Sequence, residues 1–286
     1  MGMTTASSRV AEGPESLPFV EATLTYLAPM AEKPFTYTYG PPPGMPRTNQ
    51  VPDEHKLPIF DARPLAPSLS LDREGFALVR KPSAVKDFYN EDELRQVYYP
   101  EVERIVAEAT GAARVIVFDH TVRRRLPEIE DRTIGAPRQP VNRTHNDYTL
   151  ISGPQRVRDL MGAEAEMLLR RRFAFINLWR PIRGPLLDHP LAYCDARTVK
   201  LEDFVASDLI YPDRRGETYA IHYSPRHRWF YVPAMGEDEA ALIKCYDSET
   251  SGVARFVPHS AFTDPTTPPD APPRESIEIR TIAFYG

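Results

Sequence analysis

Apolar positions recur at three- and four-residue spacing most clearly in "NEDELRQVYYPEVERIVAEATG", residues 90–111, where Leu94, Val97, Tyr98, Val102, Ile105 and Val106 share one face. That periodicity predicts a helix. Asn90 is placed to cap it, Glu91, Asp92 and Glu93 suit its positive end, and Gly111 ends it. Pro100 lacks a backbone N–H and should kink or split it. A second helix is predicted in "PQRVRDLMGAEAEMLLRRR" (154–172). Other segments follow the two-residue rhythm and β-branched content of strands: "REGFALVRK" (73–81), "ARVIVFDHTVRR" (113–124) and "RFAFINLWRPI" (172–182). Downstream come "TYAIHYSP", "RWFYVPAM", "EAALIKCYDS", "ARFVPHSAF" and "SIEIRTIAFY". Early helices followed by many short strands predict a mainly β fold with flanking helices, a β-sandwich or jelly roll.

Proline modifies this picture at the N-terminal end. The chain has 30 prolines, and residues 19–70 are broken by "YGPPPGMPR" and "LPIFDARPLAP". A backbone with so many fixed φ angles and missing donors is expected to wrap a surface in extended form. Residues 1–70 therefore read as a Pro-rich arm packing on the core, and 71–286 as a single domain.

Charge and cysteine content narrow the function. The net charge is −5, and only Arg123-Arg124-Arg125 and Arg170-Arg171-Arg172 approach a basic cluster, so a nucleic-acid partner is not expected. Two cysteines, Cys194 and Cys245, exclude a disulfide framework or a multi-cysteine zinc site and fit a reducing, cytoplasmic setting. No apolar run reaches the roughly 18 residues of a membrane span.

The chemistry concentrates in "RTHNDYT". His145 and Asp147 are separated by one residue, so on an extended backbone both side chains point the same way and can reach one ion. Two histidines and a carboxylate on one face of a ferrous ion are the oxygenase ligand set. Of the other histidines, His259 is the best third ligand: it stands at the end of a strand, and the next strand carries Arg274, Ser276, Glu278 and Arg280 on one face. His222, also on a strand, is the fallback. A guanidinium near the third ligand can grip the far carboxylate of a dicarboxylate co-substrate in two-point fashion. Arg274, which forms Arg-x-Ser with Ser276, is preferred for that part, with Arg280 as its rival.

The segments "NRTHNDYT", "FINLWRPI", "HRWFYVPAM", "RFVPHSAFTDP" and "PRESIEIRTIAF" resemble the iron/2-oxoglutarate oxygenases, and within them the gibberellin-desaturase and cephamycin-hydroxylase-like family of secondary metabolism. The resemblance runs from about residue 140 to the C-terminus. It implies a double-stranded β-helix (a cupin-like jelly roll) with Fe(II) on His145, Asp147 and His259, 2-oxoglutarate and O2 as co-substrates, and hydroxylation, desaturation or ring formation on a small natural-product or amino-acid-derived substrate. In that superfamily the arginine usually follows the third ligand by about ten residues. Here "TDPTTPPDAPP" lengthens the interval.

Other residues have weaker readings. Asn177 and Trp179 share a strand face and line the pocket if that face points inward; Tyr148, beside the clamp, bounds it or simply packs. His227 and Arg228 are either a surface loop or a substrate contact at the barrel mouth. Lys244 and Asp247 read as an internal polar pair, and both cysteines as small core residues. The rival to an oxygenase is a non-catalytic cupin-like module that binds metal or a small molecule, which would have no use for an arginine beside the metal.

Overall fold

The computed structural model describes residues 16–133 and 135–286. Its strands, in chain order, are β1 (Phe19–Leu27), β2 (Phe35–Tyr37), β3 (Pro52–Asp61), β4 (Phe76–Arg80), β5 (Arg114–Arg124), β6 (His145–Asn146) and β7 (Phe173–Pro181). There follow β8 (Leu191–Cys194), β9 (Phe204–Ile210), β10 (Arg215–Ile221), β11 (Trp229–Tyr231), β12 (Glu239–Asp247), β13 (His259–Ala261) and β14 (Glu275–Phe284). They form a nine-stranded sheet, ordered β1-β3-β11-β8-β13-β6-β10-β9-β2, and a five-stranded sheet, ordered β4-β12-β7-β14-β5. This is the mainly β, jelly-roll architecture that the strand pattern predicts.

The central strands of the smaller sheet are buried on both faces, and their alternation divides the interior. On β7, Ala174, Ile176 and Leu178 pack with the helical layer, through Leu94, Tyr98, Val102, Ile105 and Val106. Phe173, Phe175 and Trp179 point the other way, into the space between the sheets. On β14, Ile277, Ile279 and Ala283 face the helix, so Ser276, Glu278, Arg280 and Ile282 face inward. Each apolar side chain buried on the helical side contributes on the order of 2 kcal/mol. The opposite period carries the chemistry.

Asn90 caps α1 (Glu91–Glu93) by accepting from the amides of Asp92 and Glu93, and Gly111 ends α2 (Tyr99–Thr110) at φ 68°. Between them Leu94–Tyr98 is a π-helix. Pro100 has no N–H for the Gln96 carbonyl, so the helix widens just before it instead of stopping. The second predicted helix is likewise in two pieces, α3 (Ser152–Met161) and α4 (Ala165–Leu168), because Gly162 takes φ 51°.

Residues 19–61 supply sheet strands. β1 and β3 pair antiparallel from Phe19↔Phe60 to Leu27↔Pro52, and β3 runs parallel beside β11. On β1, Ala22, Leu24 and Tyr26 are buried, alternating with the outward Thr23 and Thr25.

Candidate metal centre

β6 is only two residues long, but both neighbours matter. His145 is the cross-strand partner of Ala220 on β10 and of His259 on β13. The two imidazoles therefore stand side by side, 4.4 Å between ring centroids. Asp147 closes the set: its Oδ1 lies 3.6 Å from His145 Nε2 and 4.0 Å from His259 Nε2. Ligand atoms of all three residues fall within 4.8 Å of one another.

Second contacts fix how each group is presented. His145 Nδ1 donates to the Arg143 carbonyl at 2.8 Å, and His259 Nδ1 to the Val257 carbonyl at 3.0 Å. A carbonyl only accepts, so in both neutral rings the proton sits on Nδ1 and Nε2 offers a bare lone pair. His259 Nε2 is buried and has no hydrogen-bond partner among the described residues. Asp147 Oδ2 accepts from Asn177 Nδ2 at 2.7 Å, which leaves Oδ1 turned toward the imidazoles. Burial and the neighbouring His259 push the His145 imidazole down to about 3. Burial alone would raise the Asp147 carboxyl, but His259, Arg280, His145 and the Asn177 bond bring it down to about 2. Two neutral imidazoles and one carboxylate, with inner lone pairs unused, are the donor set of a facial divalent-metal site.

Arg274, just before β14, and Arg280, within it, occupy different settings. Arg274 is buried. Its Nε donates to Ser276 Oγ at 2.9 Å, its Nη1 to the His189 carbonyl at 2.8 Å, and its guanidinium lies 4.9 Å from the Trp179 ring. Its backbone N–H donates to Asp188 Oδ2. Nη2 carries no hydrogen bond to the described residues. Arg280 is held by Glu278 at 2.6 Å and Asp119 at 2.8 Å, and its Nε is 3.9 Å from Asp147 Oδ2. Burial would lower its affinity for its proton, but these carboxylates raise it.

Asn177 orients a ligand, and Trp179 lies under Arg274. Tyr148 stacks on Phe175 at 4.2 Å beside the cluster and lines the same cavity as His145 and Asp147. His227 is not brought to the metal cluster. Its Nε2 lies 3.2 Å from Asp203 and its Nδ1 3.3 Å from the Tyr26 hydroxyl, in an aromatic group that includes Trp229. Arg228 is exposed and its backbone bonds to the Thr198 hydroxyl and the Asp195 amide. His222 donates to, or is oriented by, the Leu27 carbonyl instead of joining the ligands. Cys194 and Cys245 are buried and free.

Sequence reasoning missed Arg143 and Thr144, directly before His145, which line the cavity over the cluster. The signal was present: Arg143 is two residues from His145 and so shares its face. It also missed Tyr193, whose backbone pairs with His259 and whose buried hydroxyl has no partner among the described residues.

Residues 24–284 match the family described as the Oxidoreductase/YMDC permease-like domain. The Fe(II)/2-oxoglutarate-dependent dioxygenase nvfI of Aspergillus novofumigatus is 32% identical over 257 residues, 87% of this chain and 90% of that protein. The hydroxylase/desaturase efuI of Hormonema carpetanum is 34% identical over 79% of this chain and 82% of its own length. The solved structure of the iron and alpha-ketoglutarate-dependent endoperoxidase NvfI superposes with TM-score 0.85 at 30% identity, covering 94% of this chain and 98% of that one. The chain belongs to this oxidoreductase family, that of the Fe(II)/2-oxoglutarate-dependent dioxygenases and hydroxylase/desaturases of secondary metabolism.

Proposed function

We propose that the protein oxidises a small organic molecule, by hydroxylation, desaturation or ring formation, using Fe(II), 2-oxoglutarate and O2. The observation that carries this reading is the convergence of two bare Nε2 lone pairs and one Asp147 oxygen, in a chain related to enzymes of that chemistry. His145, Asp147 and His259 would hold the iron. When bound, iron and 2-oxoglutarate supply oxidising power through oxidative decarboxylation to succinate and CO2.

The chain's own residues bind and orient. Arg274, with Nη2 free and Ser276 at its Nε, is placed to pair with the far carboxylate of 2-oxoglutarate. Trp179 keeps the guanidinium flat and shields it from water. Arg280 serves Asp147, holding its second oxygen in a positive field together with Asn177. Tyr148, and the cavity of about 880 Å³ that it lines, receive the substrate. With Asp147 present, the third protein ligand is a carboxylate and leaves no place for a halide, which favours hydroxylation-type outcomes over halogenation. Residues 16–70 pack on the 71–286 domain by adding β1, β2 and β3 to its larger sheet. Two buried free cysteines and a net charge of −5 support a reducing, cytoplasmic setting and a small-molecule partner, not a nucleic acid; among the described residues no helix is long and apolar enough to cross a membrane.

The test is anaerobic mixing of the protein with Fe(II), then 2-oxoglutarate. A visible metal-to-ligand charge-transfer band that requires both additions is expected. Its absence, with metal still bound, would favour the non-catalytic module.

A further inference from the structure

The cavity over His145 and Asp147 is electrically unlike the rest of the molecule. The chain carries a net charge of −5, but eight arginines and five carboxylates line this cavity. The carboxylates are already committed. Asp119 pairs with Arg280, Asp208 and Glu217 both pair with Lys33, Asp159 accepts from Gln155, and Asp147 belongs to the metal cluster. Arg132 and Arg138 share Asp131.

Four of the lining guanidiniums, those of Arg123, Arg143, Arg156 and Arg214, have no ion pair among the described residues, although Glu278 and Asp131 act on Arg123, and Asp131 on Arg143, from beyond salt-bridge distance. Arg123 donates to the Gln139 carbonyl and Arg143 to the Gln50 side-chain oxygen. Arg156 lies over Phe118 at 5.0 Å and Arg214 over Tyr211 at 3.9 Å. Burial lowers the affinity of Arg123 and Arg143 for their protons. Desolvated cations without a directly paired counter-charge are costly, and folds keep them where a ligand supplies the missing contact. Thr144 lines the same cavity, and its buried hydroxyl has no hydrogen-bond partner among the described residues. Arg143 and His145 are two residues apart and both line the cavity, so a group bound by Arg143 lies beside the metal cluster.

We propose that the substrate bears an oxyanion, a carboxylate or a phosphate, that docks on Arg143 and the Thr144 hydroxyl, with Arg214 drawing it in from the rim. This rests on the reading of the cluster as an iron/2-oxoglutarate site, but it concerns a second anion beside the co-substrate. Arg214, in the exposed turn between β9 and β10, suits long-range attraction of a negative ligand.

The experiment is calorimetric titration of the full chain, saturated with Mn(II) and 2-oxoglutarate under nitrogen. The probes are 1-naphthoate, 1-naphthyl phosphate and the neutral methyl 1-naphthoate. At least one anion should bind tighter than the ester by roughly tenfold or more, as a charge-assisted hydrogen bond implies, and added salt should shrink the advantage. Which anion wins distinguishes carboxylate from phosphate. Arg143→Gln should remove the preference, Arg143→Lys should restore part of it, and Arg214→Gln, at an exposed position, should weaken anion binding with the fold intact by thermal melting. The proposal is overturned if the ester binds as well as the anions, if no anion binds at millimolar concentration, or if the preference survives in both glutamine variants. It is also overturned if Arg143→Gln loses 2-oxoglutarate binding, since Arg143 would then serve the co-substrate. Failure of the iron/2-oxoglutarate reading itself shows separately, as no charge-transfer band in the unaltered protein.

Discussion

Two buried polar clusters in this protein use the same kinds of side chain to opposite ends. At one end of β12, Lys244 and Asp247 are both fully buried, with Nζ and Oδ2 2.8 Å apart. Arg172 grips the same carboxylate at 2.7 and 3.1 Å, and Asp72 pairs with both cations. Every charge there has its counter-charge. At the metal centre His145, Asp147 and His259 are just as carefully oriented from behind, but their inner lone pairs point at one another across a gap. A buried group left without a partner costs free energy, so a fold keeps one where something else completes it. Completeness marks the first cluster as architecture and incompleteness marks the second as a site.

The sharpest way to break this comparison is to delete a member of each. His259→Ala should abolish the charge-transfer band and turnover at a stability cost of about 1–2 kcal/mol, from the Nδ1–Val257 bond and the buried ring volume, because Nε2 itself has no partner to lose among the described residues. Lys244→Met should do the reverse. It strands Asp247 with one fewer counter-charge and should cost about 3–5 kcal/mol in urea denaturation, with iron binding unchanged in the folded fraction. If both variants lose stability equally, the distinction fails.

Arg274, just before β14, and Arg280, on it, refine the contrast. Arg274→Gln should raise the Kd for 2-oxoglutarate about 10- to 100-fold with Fe(II) affinity little changed. Arg280→Gln should instead weaken Fe(II) binding through Asp147, by up to roughly tenfold. Exchanged outcomes would reassign the two residues.

Measured per pH unit, the smallest effect is on acid stability. The His145 imidazole drops from 6.5 unfolded to about 3 folded. Between those values the unfolded chain binds more protons, so the stability of the metal-free protein rises with pH there and is lost as pH falls from about 6.5 toward 3. The slope from this group is at most about 1.4 kcal/mol per pH unit. His145→Gln should flatten it in pH-dependent denaturant titrations.

What was legible in the sequence was legible through periodicity. His-x-Asp works because a two-residue step keeps both groups on one side, and the Ile277/Ile279 against Ser276/Glu278 alternation on β14 follows the same rule. The alternation of Ala22, Leu24 and Tyr26 predicts a strand equally well, but the prolines that follow masked it, and the segment read as a wrapping arm instead of a sheet edge. Asn177 was expected to line the pocket. That it spends its amide on Asp147 depends on a 2.7 Å contact across thirty residues of chain, which no local pattern encodes. The π-helical turn before Pro100 was foreseeable only as an irregularity.

The pairing of His145 directly across from His259 also bears on how such chains are recognised. The two imidazoles are set by hydrogen-bonded strands, whereas Arg274 is anchored independently by Asp188 and the His189 carbonyl. The proline-rich stretch between them is thereby relieved of any metrical duty. It can lengthen or shorten while the two histidines and Arg274 keep their stations, so a search keyed to a fixed interval from histidine to arginine would overlook relatives that a search keyed to cross-strand neighbours would find.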